Sequence, residues 1–244
     1  MPNLKTVNRS RLWVVLWAAG AAGVISSLPF LSQLGASPGL NGWWLIRTGV
    51  LLTAAVSIGV VLAPRVRLRA PISEAAVSGR SIRKAIGSMI VPGLIGGVLG
   101  LFTIMVTSIM FVPLLPTEFV EATAGTRPPL LARALYGGVT EELLIRWGLM
   151  TALVWMPYRI VDGGVGEVRT SFYVAAIVLS ATVFGAGHLP LAASLVSTVT
   201  APLVAYVIAG NAVFGLIAGF LYWRHGLEAA VIAHVGTGLL IGAV

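Results

Sequence analysis

Glu141, Glu142, Arg146, His188 and His234 are ionisable side chains set in stretches otherwise made almost wholly of apolar residues. A charge at the centre of a bilayer costs roughly 2.5–3.5 kcal/mol on insertion scales, and such groups persist where they face a bundle interior and have a partner or a task. Glu142 and Arg146 are four residues apart, so on a helix they share a face and can pair. Glu141 is turned about 100° from Glu142 and need not be consumed by that pair. The economical reading is a structural Glu142–Arg146 pair that orients a free Glu141. The alternative is one buried ion network of all three groups with no chemistry. His188 closes the run Phe184-Gly-Ala-Gly-His188, with Phe184 one turn earlier on the same face. The small residues between them let another backbone, or a substrate, come close. Pro190 disfavours helix at Leu189, so His188 is expected at a helix end. His234 lies in a separate apolar stretch, and His225, the only other histidine, follows Arg224 in a short connection and reads as interfacial.

One glutamate and two histidines in an apolar cavity suit two chemistries. In the first, Glu141 is a general base for water, His188 positions or polarises that water, and His234 stabilises an oxyanion. In the second, the two histidines and a carboxylate hold a catalytic divalent metal such as zinc. No His-Glu-x-x-His helix is present to support the zinc reading. Arg47 and Arg133 lie near span ends and read as side chains that snorkel to the interface. Cysteine is absent, which removes disulfides, thiolate catalysis and cysteine-ligated metals.

The elements that must position these groups are membrane helices. Apolar residues make up 57% of the 244 and charged residues only 10%, against roughly 25% charged in a soluble domain. Mean hydropathy is +0.96. So little charge cannot cover a soluble fold, so the fold class is all-α, a polytopic membrane protein in a lipid bilayer. The apolar stretches near 12–33, 43–63, 86–115, 129–157, 171–189, 192–208, 209–223 and 227–244 predict about eight transmembrane helices. They form one membrane domain over 1–244, with 1–128 mostly scaffold and 129–244 carrying the chemistry. The first stretch is too long for a signal-peptide core and reads as a retained helix. Pro92, with Gly93, Gly96, Gly97 and Gly100, marks a place for the third span to tilt or break, and Asn211 marks a break between the sixth and seventh. The Gly96-to-Gly100 spacing permits close helix packing.

The net charge of +8 sits beside the spans, where basic residues set topology and meet anionic lipid, so no nucleic-acid partner is expected. Lys5, Arg9 and Arg11 precede the first span. The 64–85 connection holds Arg65, Arg67, Arg69, Arg80, Arg83 and Lys84 against Glu74, while Glu118, Glu121 and Arg127 mark the 116–128 connection. The N-terminus and the 64–85 connection are therefore cytoplasmic, and eight spans would return the C-terminus to that side. Residues 73–85 read either as a basic amphipathic helix on the inner leaflet or as a solvated loop.

Glu141-Glu142-Leu-Leu-Ile-Arg146 resembles the EExxxR motif of the CPBP family of intramembrane proteases, also called the Abi or CAAX-protease-like family. Phe184-Gly-Ala-Gly-His188 resembles its FxxxH motif. His234 falls where its last motif, HxxxN or HxxxD, begins, and Phe214 to Arg224 resembles the glycine-rich helix before it. The likeness covers about residues 129–244. It implies an eight-helix fold and an intramembrane endopeptidase acting on a peptide or protein substrate, prenylated in the eukaryotic branch. It also implies that Glu141 activates water with His188, that His234 helps hold the oxyanion, that Glu142, Arg146 and Phe184 support them, and that no cofactor is required. A bacterial plasma membrane is the expected location. Three positions depart from the pattern: Gly238 stands where Asn or Asp is usual, Trp147 where Gly is usual, and Ile145 where Phe is usual. Gly238 leaves one oxyanion donor out of its expected place, with Thr237 and Asn211 as the polar residues near it. Two rivals stay open: a non-catalytic immunity or partner-binding protein that keeps the buried network for stability, and a transporter with a Glu/His proton relay.

Overall fold

The computed structural model describes residues 7–33, 38–125 and 128–243; Lys5, Arg127 and residues 34–37 of the uncharged 34–42 connection lie outside them. The described residues contain helices and no strand. In chain order they are α1 (Arg9–Ser26), α2 (Leu28–Gln33), α3 (Pro38–Leu62), α4 (Pro71–Ser78), α5 (Ile82–Phe111), α6 (Thr117–Gly125), α7 (Leu130–Ala132), α8 (Thr151–Val161), α9 (Thr170–Gly187), α10 (Leu189–Ala193), α11 (Ala201–His225) and α12 (Leu227–Ala243). Between α7 and α8 the chain stays helical in two wide-turned π segments, Arg133–Glu141 and Leu143–Met150. Residues 130–161 are thus one continuous run, and π-helical turns of this kind are rare and cluster at functional sites.

Five helices are long and apolar enough to cross a membrane, beginning at Arg9, Asn41, Ile82, Thr170 and Ala201, with Leu227–Ile241 as a shorter apolar helix. This is a multi-pass membrane protein. The expected count of eight is not reproduced, because residues 192–208 and 209–223 do not form two spans. Residues 201–225 are a single helix that passes through Asn211. The reason is local: the Asn211 amide donates to the Val207 carbonyl at 2.8 Å, so its polar group is satisfied within the helix. Likewise α5 is unbroken at Pro92. An interior proline costs roughly 3 kcal/mol, but the buried face of Gly93, Gly96, Gly97 and Gly100 holds α5 against α12 along its length. A Cβ at Gly93 would come within 2.7 Å of Ile232, and one at Gly96 within 3.0 Å of Ala233.

These contacts give the helix directions. Positions 93, 97 and 100 of α5 meet 232, 233 and 237 of α12 in rising order, so the two run parallel. Trp13 and Trp17 of α1 donate to Ser57 and Thr53 of α3, each at 3.0 Å, an antiparallel pair. Gly20 and Gly23 of α1 meet Leu143 and Leu135 of the 130–161 run, again antiparallel. Gly215 and Gly219 of α11 meet Ala181 and Ile177 of α9, antiparallel as well. Seven helical runs therefore alternate through the bundle, and α12 ends opposite the basic 63–80 segment.

The basic segment also differs from an amphipathic helix over 73–85. Helix α4 covers only 71–78 and stops at Gly79, whose φ of 66° is left-handed. It is anchored to the bundle: the Ser73 amide donates to Glu228 at 2.7 Å, and the Ala70 amide to Glu74 at 3.0 Å.

Candidate active site

The 130–161 run, α9 and α12 bring Glu141, His188 and His234 together. Glu141 Oε1 lies 4.0 Å from His188 Nε2, and Glu141 Oε2 lies 3.9 Å from His234 Nε2. Both spacings are too long for a direct hydrogen bond and of a size that one water bridges. Glu141 keeps 18% of its side-chain surface accessible, whereas Glu142 and Arg146 are fully buried.

Glu142 is the organiser of the cluster. Its Oε1 accepts from Arg146 Nη1 at 3.2 Å and from His234 Nδ1 at 2.8 Å. The first contact follows from the four-residue spacing; the second is invisible in sequence, because 92 residues separate the partners. Arg146 spends a second nitrogen on the Gly215 carbonyl of α11 at 3.1 Å, and its guanidinium lies 4.8 Å from the Phe184 ring centre. That carbonyl is reachable because α9 and α11 touch at Gly215, where a Cβ would come within 2.8 Å of the Ala181 Cβ. Phe184 is the common wall. Its ring stands edge-on to His188 at 4.8 Å and to His234 at 5.9 Å, and Phe214 closes the other side of His234 at 4.6 Å.

The partners also determine the histidine protons. His188 Nδ1 is 2.8 Å from the Phe184 carbonyl, which can only accept, so Nδ1 carries a proton and the neutral ring offers Nε2 as an acceptor toward Glu141. His188 is the last residue of the α9 turn, as Pro190 implied, and this bond to the carbonyl four residues earlier holds the ring there. His234 Nδ1 likewise donates to Glu142, so its Nε2 also faces Glu141.

His188 and His234 line a cavity of about 340 Å³ with Asn211, Phe214, Thr237 and Gly238 in its wall. Thr237 is already committed: its hydroxyl faces the Gly97 and Ala233 carbonyls at 3.1 and 3.0 Å and ties α12 to α5. Arg133, expected to reach for the interface, donates from Nη1 to the Gly238 carbonyl of α12 at 3.0 Å. Among the described residues, no group of three or more His, Cys, Asp or Glu side chains is arranged to hold a metal ion.

Residues 123–240, which contain Glu141, Glu142, Arg146, Phe184, His188 and His234, match the family described as type II CAAX prenyl endopeptidase, Rce1-like. The match supports the CPBP, or CAAX protease, family for this segment, a family of membrane endopeptidases. No curated protein and no solved structure matched the chain.

Proposed function

We propose that this protein hydrolyses a peptide bond of a prenylated protein or peptide at the membrane, with Glu141 as the base that activates water. The observation that carries the reading is the placement of both Glu141 oxygens opposite the Nε2 atoms of two histidines from two other helices. A water in that space can donate one proton to Glu141 and the other to His188 Nε2, which points its lone pair at the substrate carbonyl. Attack forms the carbon–oxygen bond and moves the first proton to Glu141. The tetrahedral oxyanion is then held by His234 Nε2–H. Because Nδ1–H of His234 is spent on Glu142, donation from Nε2 requires the imidazolium. That form brings Glu141, Glu142, Arg146 and His234 to zero net charge. Collapse breaks the carbon–nitrogen bond, and Glu141 returns its proton to the leaving amine. Glu142, Arg146 and Phe184 act as positioning residues.

The test is a peptidase assay on protein purified in lipid. Wild type and Glu141→Gln are compared on a fluorogenic prenylated CAAX peptide and its unprenylated twin, with and without chelator. Cleavage that survives chelator and disappears in Glu141→Gln supports the reading. Cleavage that persists in Glu141→Gln removes Glu141 as the base, loss with chelator restores the metal reading, and equal cleavage of both peptides removes the prenyl requirement.

A further inference from the structure

A second cavity, of about 770 Å³, lies at the basic end of the bundle, away from the histidines. Arg9 from the first turn of α1 and Arg67 and Arg69 from the segment between α3 and α4 line it, over an apolar floor that includes Leu12 and Val60. We propose that this cavity binds the phosphate of an anionic phospholipid headgroup.

Four observations support the site. Three arginines line one space, and arginine is the side chain whose planar fork suits phosphate oxygens. The one acid in the wall, Glu74, is already occupied: one oxygen accepts the Ala70 amide at 3.0 Å and the other faces Arg80 at 3.6 Å. Arg67 has a left-handed backbone, φ 55°, rare for a residue with a Cβ, and its amide caps the turn onto the Ala63 carbonyl. Finally, Trp147 closes the inner wall: it is 1% exposed, and the Nε1 edge of its indole packs on Gly59 of α3. Arg67 also pairs with Glu167 at 2.9 Å, but both side chains are largely exposed and the pair is solvent-screened, so it competes weakly.

Size and place select the lipid over free phosphate. Cavities of roughly 300–1,000 Å³ hold ligands of drug size, and a lone phosphate would leave most of this one unfilled. The arginines lie at the end that the charge distribution assigns to the cytoplasmic leaflet, the anionic one. Leu12 and Val60 offer an apolar path for the start of an acyl chain. The site is independent of the peptidase reading.

The test uses purified full-length protein in mild detergent, with short-chain phosphatidylglycerol, short-chain phosphatidylcholine and inorganic phosphate as probes. Binding is read by native mass spectrometry and by the rise in unfolding temperature. Phosphatidylglycerol is expected to bind and stabilise, and phosphatidylcholine and phosphate to do neither at equal concentration. Arg9→Gln and Arg69→Gln, both at exposed positions, are each expected to weaken phosphatidylglycerol binding roughly tenfold, the scale of one charge-assisted hydrogen bond. Equal binding of the two lipids, or wild-type affinity in both arginine variants, overturns the site. An equal shift with inorganic phosphate overturns the lipid as its occupant.

Discussion

Gly238→Asn is expected to make this protein a faster peptidase. Position 238 is four residues after His234 on α12, so both present the same face, and both line the cavity beside His188. A Cβ built at Gly238 meets only Arg133, at 3.7 Å from its Cβ and 4.0 Å from its carbonyl oxygen, which is ordinary contact. The Arg133 bond to the Gly238 carbonyl is to main chain and survives the change. Asn is slightly better than Gly in a helix interior, by a few tenths of a kcal/mol, so no loss of stability opposes the gain. An oxyanion donor is worth roughly 10²–10³ in kcat where its geometry is optimal. A donor added to a site already served by His234 should reach the lower part of that range, a rise of roughly tenfold to a hundredfold. The assay is kcat at saturating prenylated peptide in lipid, with Gly238→Ala as the comparison that adds the Cβ without the amide. Unfolding temperatures of all three proteins establish that each is folded. If Gly238→Asn is no faster than Gly238→Ala, position 238 does not face the developing oxyanion and the reasoning fails.

Other consequences follow from the same contacts. Glu142→Gln removes the only carboxylate paired with the buried Arg146 and should lower unfolding free energy by roughly 3–5 kcal/mol in micelles, whereas Glu141→Gln, bound to nothing directly, should unfold close to wild type while losing cleavage. Glu118 accepts the Ser197 amide at 2.7 Å and its hydroxyl at 2.9 Å, and these bonds, the amide first, hold its carboxyl below the ordinary 4.5. A lowered carboxyl contributes above its unfolded value and loses that contribution as pH falls through the folded one, so protection of the Ser197 amide from exchange should persist at neutral pH and fade below 4.5; Ser197→Ala should return the Glu118 titration toward 4.5, and an unchanged titration would contradict the contact. Seven alternating runs predict that a reporter after α12 lies across the membrane from one placed before Arg9, which paired alkaline phosphatase and green fluorescent protein fusions read directly.

Local rules made part of the site legible. The Glu142–Arg146 bond follows from four-residue spacing, and the separation of Glu141 from that pair follows from helical turn, although the run is π-helical rather than regular. His188 at a helix end follows from Pro190. Where local rules failed, a neighbouring helix or the helix's own main chain supplied what was missing. Pro92 did not break α5 because α12 covers its glycine face, and Asn211 did not break α11 because a carbonyl one turn earlier satisfies it. The bond from Arg133 to the Gly238 carbonyl was not legible because 105 residues separate the two.

Composition alone determined that lipid is the solvent, since 10% charge cannot clothe a soluble domain of this size, and the resemblance of three short motifs to the CAAX protease family pointed to a membrane peptidase. Only the tertiary structure decided that Glu142 serves Arg146 and His234 at once and that the Gly215 carbonyl completes the arginine's bonding. The physical reason is common to both. Helical periodicity reaches one turn along the chain, while these contacts depend on which helices lie side by side, and side chains 69 to 92 residues apart meet only when glycines let those helices touch.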